Sequence, residues 1–166
     1  LSMDTETGAC SLKVKFESGY NLPPGMSYAE LEMFVISGSV TYGDTTYGDG
    51  YYFLIPPGVS MPEMRVKKGA VVLMFYNYGE PSFIPSDEDH PLAERYRLSI
   101  IDSMKDINWM PGNRIVPSVA SGCMLKPLKY DPDTEAHTFL YCMTPGFSQD
   151  NISYHDCCEE SYHIWG

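Results

Sequence analysis

The sequence predicts an all-β fold. Short runs that alternate between apolar and polar residues are separated by turns rich in glycine and proline, which is typical of antiparallel strands. The composition agrees with this, because 14 glycines and 13 prolines accompany 13 tyrosines among 166 residues. A chain that is 43% hydrophobic can bury a core of ordinary size and is not expected to be disordered. A third observation is an internal repeat of β-rich sequence.

The first predicted strand is "CSLKVKF", residues 10–16. In an extended chain Cys10, Leu12, Val14 and Phe16 share one face, and the serine and lysines between them share the other. The pattern indicates a strand with one buried and one solvated face.

The next predicted strands lie in "LEMFVISGSVTYGDTTYGDGYYFLIPPG", residues 31–58, which we interpret as three strands. Its turn signals are Ser37-Gly38, Gly43-Asp44 and the segment 48–50. "AVVLMFYNY", residues 70–78, is a continuous apolar run, as expected of a strand in the buried part of a sandwich or barrel.

A less regular segment follows, and it contains the one helix that the sequence predicts. "HPLAERYRL", residues 90–98, has Asp89 in position to cap a short helix and Pro91 in its first turn. The remaining sequence up to residue 127 predicts irregular structure, with Trp109 packing it onto a domain.

The internal repeat is seen when the chain is compared with itself at a constant offset of 127 residues. The matched pairs are Leu1/Leu128, Asp4/Asp131, Thr7/Thr134, Ala9/Ala136 and Gly19/Gly146. We therefore divide the chain into a first unit at 1–83, a connector at 84–127 and the start of a second unit at 128–166. Because half a unit leaves a sheet edge unpaired, we expect the native chain to continue past Gly166 or to complete the sheet with another chain. The protein is then a homo-oligomer or a subunit of a larger assembly.

Charge and cysteine content narrow the function classes. A formal net charge of −11 disfavours nucleic-acid binding, because such a surface repels phosphates. No apolar run approaches the roughly 18 residues of a membrane span. The five cysteines form no CxxC pair, which favours a reducing, intracellular compartment over a disulfide scaffold. We expect that a targeting segment ahead of Leu1 could have been removed, so localisation stays open.

A known family is indicated by "GDGYYFLIPPGVSM", residues 48–61. Gly50, Pro56, Gly58 and Met61 fall at the spacing G-x5-P-x-G-x2-H of the second cupin motif, with methionine in place of histidine. On these residues and the repeat, the chain resembles the cupin superfamily, and within it double-domain cupins related to the cupin half of zinc-binding anti-sigma factors. The resemblance implies a tandem of jelly-roll barrels, the second only partly present. It also implies that three histidines and a glutamate hold one divalent metal in a barrel.

In the first unit, the resemblance places no histidine at a ligand position. Those positions hold Gly25, Ser27 and Leu31 in the plain register, or Met26, Tyr28 and Glu32 in a register shifted by one. With Met61 at the third histidine position, we expect no metal in this barrel, because divalent ions prefer imidazole and carboxylate. We expect instead a cavity lined by Tyr28, Glu32 and Met61, suited to a small organic ligand.

In the second unit, "SYHDCCEESYHIWG" matches the first cupin motif at two ligand positions, His155 and Glu159, with Ser153 replacing the other histidine. Glu160 is the alternative carboxylate if the register shifts. With a further histidine beyond Gly166, one divalent metal (iron, zinc or manganese) is expected in the intact second barrel.

These observations leave three hypotheses. The first is a metal-dependent small-molecule oxygenase, isomerase or lyase with its metal in the second barrel. The second is a non-catalytic cupin that binds a small molecule or a regulatory partner. The third is a structural subunit of an assembly. The sequence contains no nucleophile-elbow, Walker or zinc-protease motif that would point to another reaction class.

Overall fold

The computed structural model describes residues 1–115, 121–149 and 158–165 of the chain. Within these ranges it contains β-strands and two 3₁₀ turns but no α-helix, so the all-β prediction is confirmed. No helix in the described part has the length and apolarity needed to cross a membrane. The chain forms two compact units, Leu1–Asp106 and Ile107–Gly166. The predicted ranges of the repeat stay a prediction.

The first unit, which is described throughout, is built from twelve strands and one 3₁₀ turn at Arg95–Arg97. The strands are β1 Ser2–Met3, β2 Cys10–Phe16, β3 Tyr20–Leu22, β4 Gly25–Met26, β5 Glu30–Gly38, β6 Val40–Tyr42, β7 Thr45–Tyr47, β8 Tyr51–Ile55, β9 Met64–Val66, β10 Ala70–Asn77, β11 Ile84–Pro85 and β12 Ser99–Asp102.

Two antiparallel sheets enclose the core of this unit. One has the order β1-β2-β10-β5-β8-β12, the other has the order β3-β9-β6-β7, and β11 pairs with β4. Both sheets contribute to one group of buried apolar side chains, here called the core cluster. Its members are Phe16, Leu31, Met33, Val35, Val40, Tyr42, Phe53, Ile55, Val59, Met61, Met64, Val66, Ala70, Val72 and Met74. This arrangement of two antiparallel sheets around one core is that of a jelly roll.

The alternation of β2 and β5 orients both strands on this core. On β2, Phe16 belongs to the core cluster while Lys13 and Lys15 are exposed, as the sequence predicts. On β5, every second residue from Leu31 to Val35 enters the core cluster. The intervening residues therefore lie on the opposite face of the sheet.

The second unit has a three-stranded sheet among its described residues. The strands are β13 Met110–Pro111, β14 Cys123–Tyr130 and β15 His137–Met143, in the order β13-β14-β15, with a 3₁₀ turn at Gly112–Arg114. Trp109 lies within this unit, and the Lys126 ammonium sits 4.9 Å from the centre of its ring.

The segment at 31–58 contains four strands, so the prediction of three is wrong. The additional strand arises because Val40–Tyr42 and Thr45–Tyr47 are two separate strands of three residues each. They form a hairpin, paired from Val40↔Tyr47 to Tyr42↔Thr45. Gly43 makes its turn with a φ of 61°. Three turn signals separate four strands, and the sequence interpretation merged two of them.

The helix predicted at 90–98 is also wrong, since only Arg95–Arg97 forms a single 3₁₀ turn. The Asp89 carboxylate does not cap a helix. It accepts a hydrogen bond from the Ser60 backbone N–H at 2.8 Å and pairs with the Arg95 guanidinium. The His90 N–H donates to the Gly58 carbonyl at 2.9 Å. These contacts tie the start of the segment to a neighbouring turn. Its own backbone hydrogen bonds are then confined to short turns, such as the one from the Ala93 N–H to the His90 carbonyl at 2.8 Å, and no continuous helix forms.

Two hairpin turns of the chain share one hydrogen-bond pattern. In the β1–β2 turn, the Asp4 N–H donates to the Ala9 carbonyl at 2.8 Å, and in the β14–β15 turn the Asp131 N–H donates to the Ala136 carbonyl at 2.9 Å. In each turn the aspartate side chain accepts from the N–H two residues later, at 2.8 and 2.9 Å. The strand registers correspond as well, with Met3↔Cys10 in one hairpin and Tyr130↔His137 in the other.

Candidate functional site

The cupin ligand positions meet at one end of the first barrel. Gly25 and Met61 form an isolated bridge, in which each N–H donates to the other's carbonyl at 3.1 and 2.7 Å. Leu31 and Met61 both belong to the core cluster, and the Gly58 N–H donates to the Ser27 carbonyl at 2.7 Å. The structure thus places Gly25 beside Met61, Ser27 beside the turn that leads to Met61, and Leu31 in the same core cluster as Met61.

The side chains at these positions do not fit a divalent metal. A Cβ atom at Gly25 would lie 2.4 Å from the Phe83 ring, so that ring fills the place of a ligand side chain. The Ser27 hydroxyl already accepts from the Ala29 N–H at 3.1 Å. Leu31 has no donor atom, and Met61 offers only a thioether. Iron, zinc and manganese sites are built from imidazole, thiolate or carboxylate, which this set lacks.

Apolar packing fills the space between the two sheets. Four methionines belong to the core cluster, and flexible thioether side chains adapt to irregular interiors. Tyr42 is the polar exception, because its buried hydroxyl has no hydrogen-bond partner. Its ring contacts Phe53 edge-on, with centroids 5.7 Å apart. Burial raises the pKa of Tyr42 to about 12, so its phenol stays neutral at physiological pH.

Of the three residues predicted to line a cavity, only Met61 lies in this interior. Glu32 lies on the opposite face of β5, where its carboxylate accepts from the Tyr52 hydroxyl at 2.7 Å and from the Asn77 amide at 2.6 Å. Tyr28 is 60% exposed at the surface, and its ring lies edge-on to His90 at 6.3 Å. The alternation of the strand, which places neighbours on opposite faces, separates Glu32 from Met61.

A buried carboxylate pair on this opposite face was not predicted as a unit. Glu30 and Glu32 are 1% and 3% exposed, and the Asn77 amide also donates to Glu30 at 3.2 Å. The Arg97 guanidinium donates to Glu30 at 3.0 Å. The sequence carries a signal for this pair, because two glutamates at i and i+2 on a strand lie on the same face of the sheet. Arg97 holds its 3₁₀ turn against the sheet through this ion pair.

The segment at residues 86–98, here called the strap, packs against the turn that carries Met61. Ser60 is its anchor: the hydroxyl donates to the Ser86 carbonyl at 2.7 Å, and its carbonyl accepts from Arg95 at 2.9 Å. The Arg95 guanidinium holds the pKa of Asp89 below its usual range. Ala93 and Leu98 pack against the core cluster from this side. The strap therefore covers the turn that carries Met61 and the adjoining part of the core cluster.

The predicted ligands of the second unit are only partly described. His155 lies outside the described residues, while Glu159 and Glu160 are exposed. Among the residues that the structure describes, no three histidine, cysteine, aspartate or glutamate side chains are grouped as a metal site would require.

The chain is similar to known proteins in sequence and in fold. The sequence model of a family described as a domain of unknown function (DUF4437) matches residues 1–166. No curated protein matches the chain. A solved structure of a proposed dioxygenase from Nostoc punctiforme is similar, with 25% identity and a TM-score of 0.75 over 86% of this chain and 50% of that one. A proposed glyoxylate-induced protein from Pseudomonas aeruginosa shares the fold, at 17% identity and a TM-score of 0.53 over 82% and 49% of the two chains. The chain thus spans about half the length of both.

Proposed function

The chain belongs to the family described as a domain of unknown function (DUF4437). On that premise we propose that it forms part of a cupin protein with two barrels. The first barrel is its metal-free scaffold, and residues 128–166 begin a second barrel. The observation that carries this proposal is the set of cupin ligand positions in the first barrel, which hold Gly25, Ser27, Leu31 and Met61. Metal chemistry, if the protein performs it, then belongs to the second barrel.

The shared turn geometry supports the tandem arrangement. The β1–β2 and β14–β15 hairpins correspond residue by residue at the repeat offset, including their strand registers. Positive φ angles recur at the same offset, at Gly8 and Glu135 and again at Gly19 and Gly146. A glutamate with positive φ is uncommon, and its place in the repeat accounts for it.

We assign the intact protein to metal-dependent small-molecule oxygenases, with isomerase and lyase activity as related alternatives. The similarity to a proposed dioxygenase at 25% identity favours the oxygenase class. His155 and Glu159 are the residues of this chain that would hold the metal, because imidazole and carboxylate suit iron, zinc and manganese. Such a metal would supply Lewis acidity or oxygen activation.

A second candidate function is a non-catalytic cupin that binds a small molecule or a regulatory partner, as the resemblance to the cupin half of zinc-binding anti-sigma factors implies. The first barrel favours this function, because the strap covers the turn that carries Met61 and the cupin positions there offer no imidazole, thiolate or carboxylate to a metal. A homo-oligomer or a larger assembly belongs to this alternative.

Metal content tests the proposal directly. We expect near-stoichiometric iron, zinc or manganese in native protein purified without chelators, measured by inductively coupled plasma mass spectrometry. His155→Ala and Glu159→Gln should each lower the bound metal by about 10-fold or more. His163→Ala is the matched control, because it removes an exposed histidine from the same segment and should leave the metal unchanged.

Each outcome has a definite meaning. Metal that is lost only in the His155 and Glu159 variants supports the oxygenase assignment and justifies a screen of oxygen consumption. Wild-type protein without metal contradicts that assignment and favours the non-catalytic cupin. Metal that survives both substitutions overturns the assigned ligands.

A further inference from the structure

A surface cleft of about 580 Å³ lies in the first unit, outside the barrel interior. Its volume is within the range of small-molecule sites in proteins. One wall comes from the β1–β2 turn and the other from the segment after β10. The lining residues are Thr5, Glu6, Thr7, Gly8, Tyr28, Ala29, Tyr78, Gly79, Glu80 and Ser82.

Two tyrosine rings give the cleft its apolar surface. Tyr28 and Tyr78 are 60% and 58% exposed. A cation placed over the face of an aromatic ring is attracted by the ring quadrupole. Two such rings in one concave site favour an organic cation over a purely polar ligand.

The charges of the cleft point to the same ligand class. Glu6 and Glu80 both line it and are exposed, and none of its lining residues, all of them described, is a lysine or arginine. The chain as a whole carries a net charge of −11. A negatively charged cleft on a negatively charged protein raises the local concentration of cations.

Both walls are held in place before a ligand arrives. In the β1–β2 turn, the Asp4 carboxylate accepts from the Glu6 and Thr7 N–H groups at 2.8 and 3.3 Å. Gly8 packs so closely on the opposite wall that a Cβ atom there would lie 2.7 Å from the Glu80 Cβ. The Ser82 hydroxyl accepts from the Tyr28 N–H at 3.0 Å. The backbone of both walls therefore has little conformational freedom left to lose on binding, which favours affinity.

We propose that this cleft binds a small organic ammonium ion, with the Tyr28 and Tyr78 rings over its alkyl groups and the Glu6 and Glu80 carboxylates balancing its charge. The site is separate from the metal ligands assigned to the second barrel, so it does not depend on the proposed oxygenase function.

The test uses choline as the probe, with its neutral carbon analogue as the matched ligand, in which a quaternary carbon replaces the nitrogen. Titration of the native protein, followed by the aromatic proton resonances of its tyrosines, should show saturable binding of choline. The neutral analogue should bind about 10-fold more weakly, and rising salt should weaken choline alone. Tyr28→Leu and Tyr78→Leu should each weaken choline about 2- to 5-fold, as expected for one exposed cation–π contact.

Two control variants sharpen the result. Glu80→Gln keeps the shape of the wall and should weaken choline about 2-fold while leaving the neutral analogue unchanged. Tyr130→Leu removes a tyrosine that is 64% exposed in the second unit, and it should change neither ligand. Equal binding of choline and its neutral analogue would overturn the proposal. So would equal loss in Tyr130→Leu and Tyr78→Leu, or the lack of saturation at concentrations of about 50 mM, far above ordinary small-molecule affinities.

Discussion

Tyr42 places a hydroxyl in the core cluster with no hydrogen-bond partner. More than nine in ten buried polar groups are paired in folded proteins, because an unpaired one loses its bonds to water without replacement. On the same unit, Tyr52 shows the ordinary arrangement, since its buried hydroxyl donates to Glu32 at 2.7 Å. The two residues therefore allow a matched comparison of a paired and an unpaired phenol.

Tyr42→Phe should stabilise the protein. The substitution keeps the ring contact with Phe53 and removes only the unpaired hydroxyl, a gain of about 1 kcal/mol. Thermal unfolding should show a Tm higher by about 4 °C or more for a unit of this size. Tyr52→Phe is the control and should lower the Tm, because it leaves the buried Glu32 carboxylate without one of its donors.

The pH dependence of stability in the alkaline range is an independent test of the same residue. The folded-state pKa of Tyr42 is about 12, above its value of 10.0 in an unfolded chain. Stability should fall as the pH rises from about 10 towards about 12, because the phenol ionises in the unfolded chain and stays neutral in the folded one. Tyr42→Phe removes this titration and should flatten the fall in that window. A Tyr42→Phe protein that is less stable than wild type at neutral pH would show that the hydroxyl has a partner.

At the residue scale the sequence determined which residue types occupy the cupin positions but not which way each one faces. Leu31 and Glu32 were both candidates for one position, and a shift of one residue exchanges the two faces of a strand. The pairing of β5 with its neighbours resolves this, because it places Leu31 in the core and Glu32 outside it. Register depends on long-range pairing, which a single sequence does not record.

At the element scale the strap is the part that sequence reasoning missed. A capping aspartate, an early proline and good helix formers predicted a helix, and local propensity alone supports that prediction. Contacts with a turn far away in the chain overrule it, since Ser60 and Gly58 bond the strap through their backbones. The long strands at Cys10–Phe16 and Ala70–Asn77 were predicted correctly, the first from its alternation and the second from its apolar run, because both are local signals.

Gly58→Ala should destabilise the protein through the strap. A Cβ atom at this position would lie 2.8 Å from the His90 Cβ, and the residue has a φ of 72°. Gly19→Ala is the matched control, because Gly19 has a φ of 84° but nothing within 4 Å of an added Cβ. We expect a loss of about 1 kcal/mol for Gly19→Ala from backbone conformation alone, and at least about twice that for Gly58→Ala.

Chemical unfolding gives the stabilities, and hydrogen exchange locates the change. Exchange of the His90 amide, which donates to the Gly58 carbonyl, should accelerate in Gly58→Ala and not in Gly19→Ala. Equal losses in the two variants, with unchanged exchange in the strap, would contradict the close packing inferred for Gly58.

At the scale of the whole molecule, the net negative charge of the chain destabilises the folded state. The chain carries 22 acidic and 11 basic residues, so its folded surface repels itself. Raising NaCl from about 20 to about 300 mM shortens the screening length severalfold and should raise the Tm by a few degrees.

A charge-reversed variant is the control for this effect. Asp87→Lys combined with Glu88→Lys changes two exposed positions of the strap and lowers the net negative charge. Its Tm should depend less on NaCl than that of the wild type. A salt response of equal size in both proteins would mean that the stabilisation is not electrostatic.

The bridge between Gly25 and Met61 bears on how this barrel could change over evolutionary time. A side chain at position 25 would meet two neighbours, since its Cβ would lie 2.4 Å from the Phe83 ring and 2.8 Å from the Ile84 carbonyl oxygen. The ring is the end of an exposed side chain and can turn aside, whereas the carbonyl belongs to the strand that pairs with Gly25–Met26. A smaller residue at 83 therefore does not by itself make room for a ligand at 25, because the main chain still stands in its place.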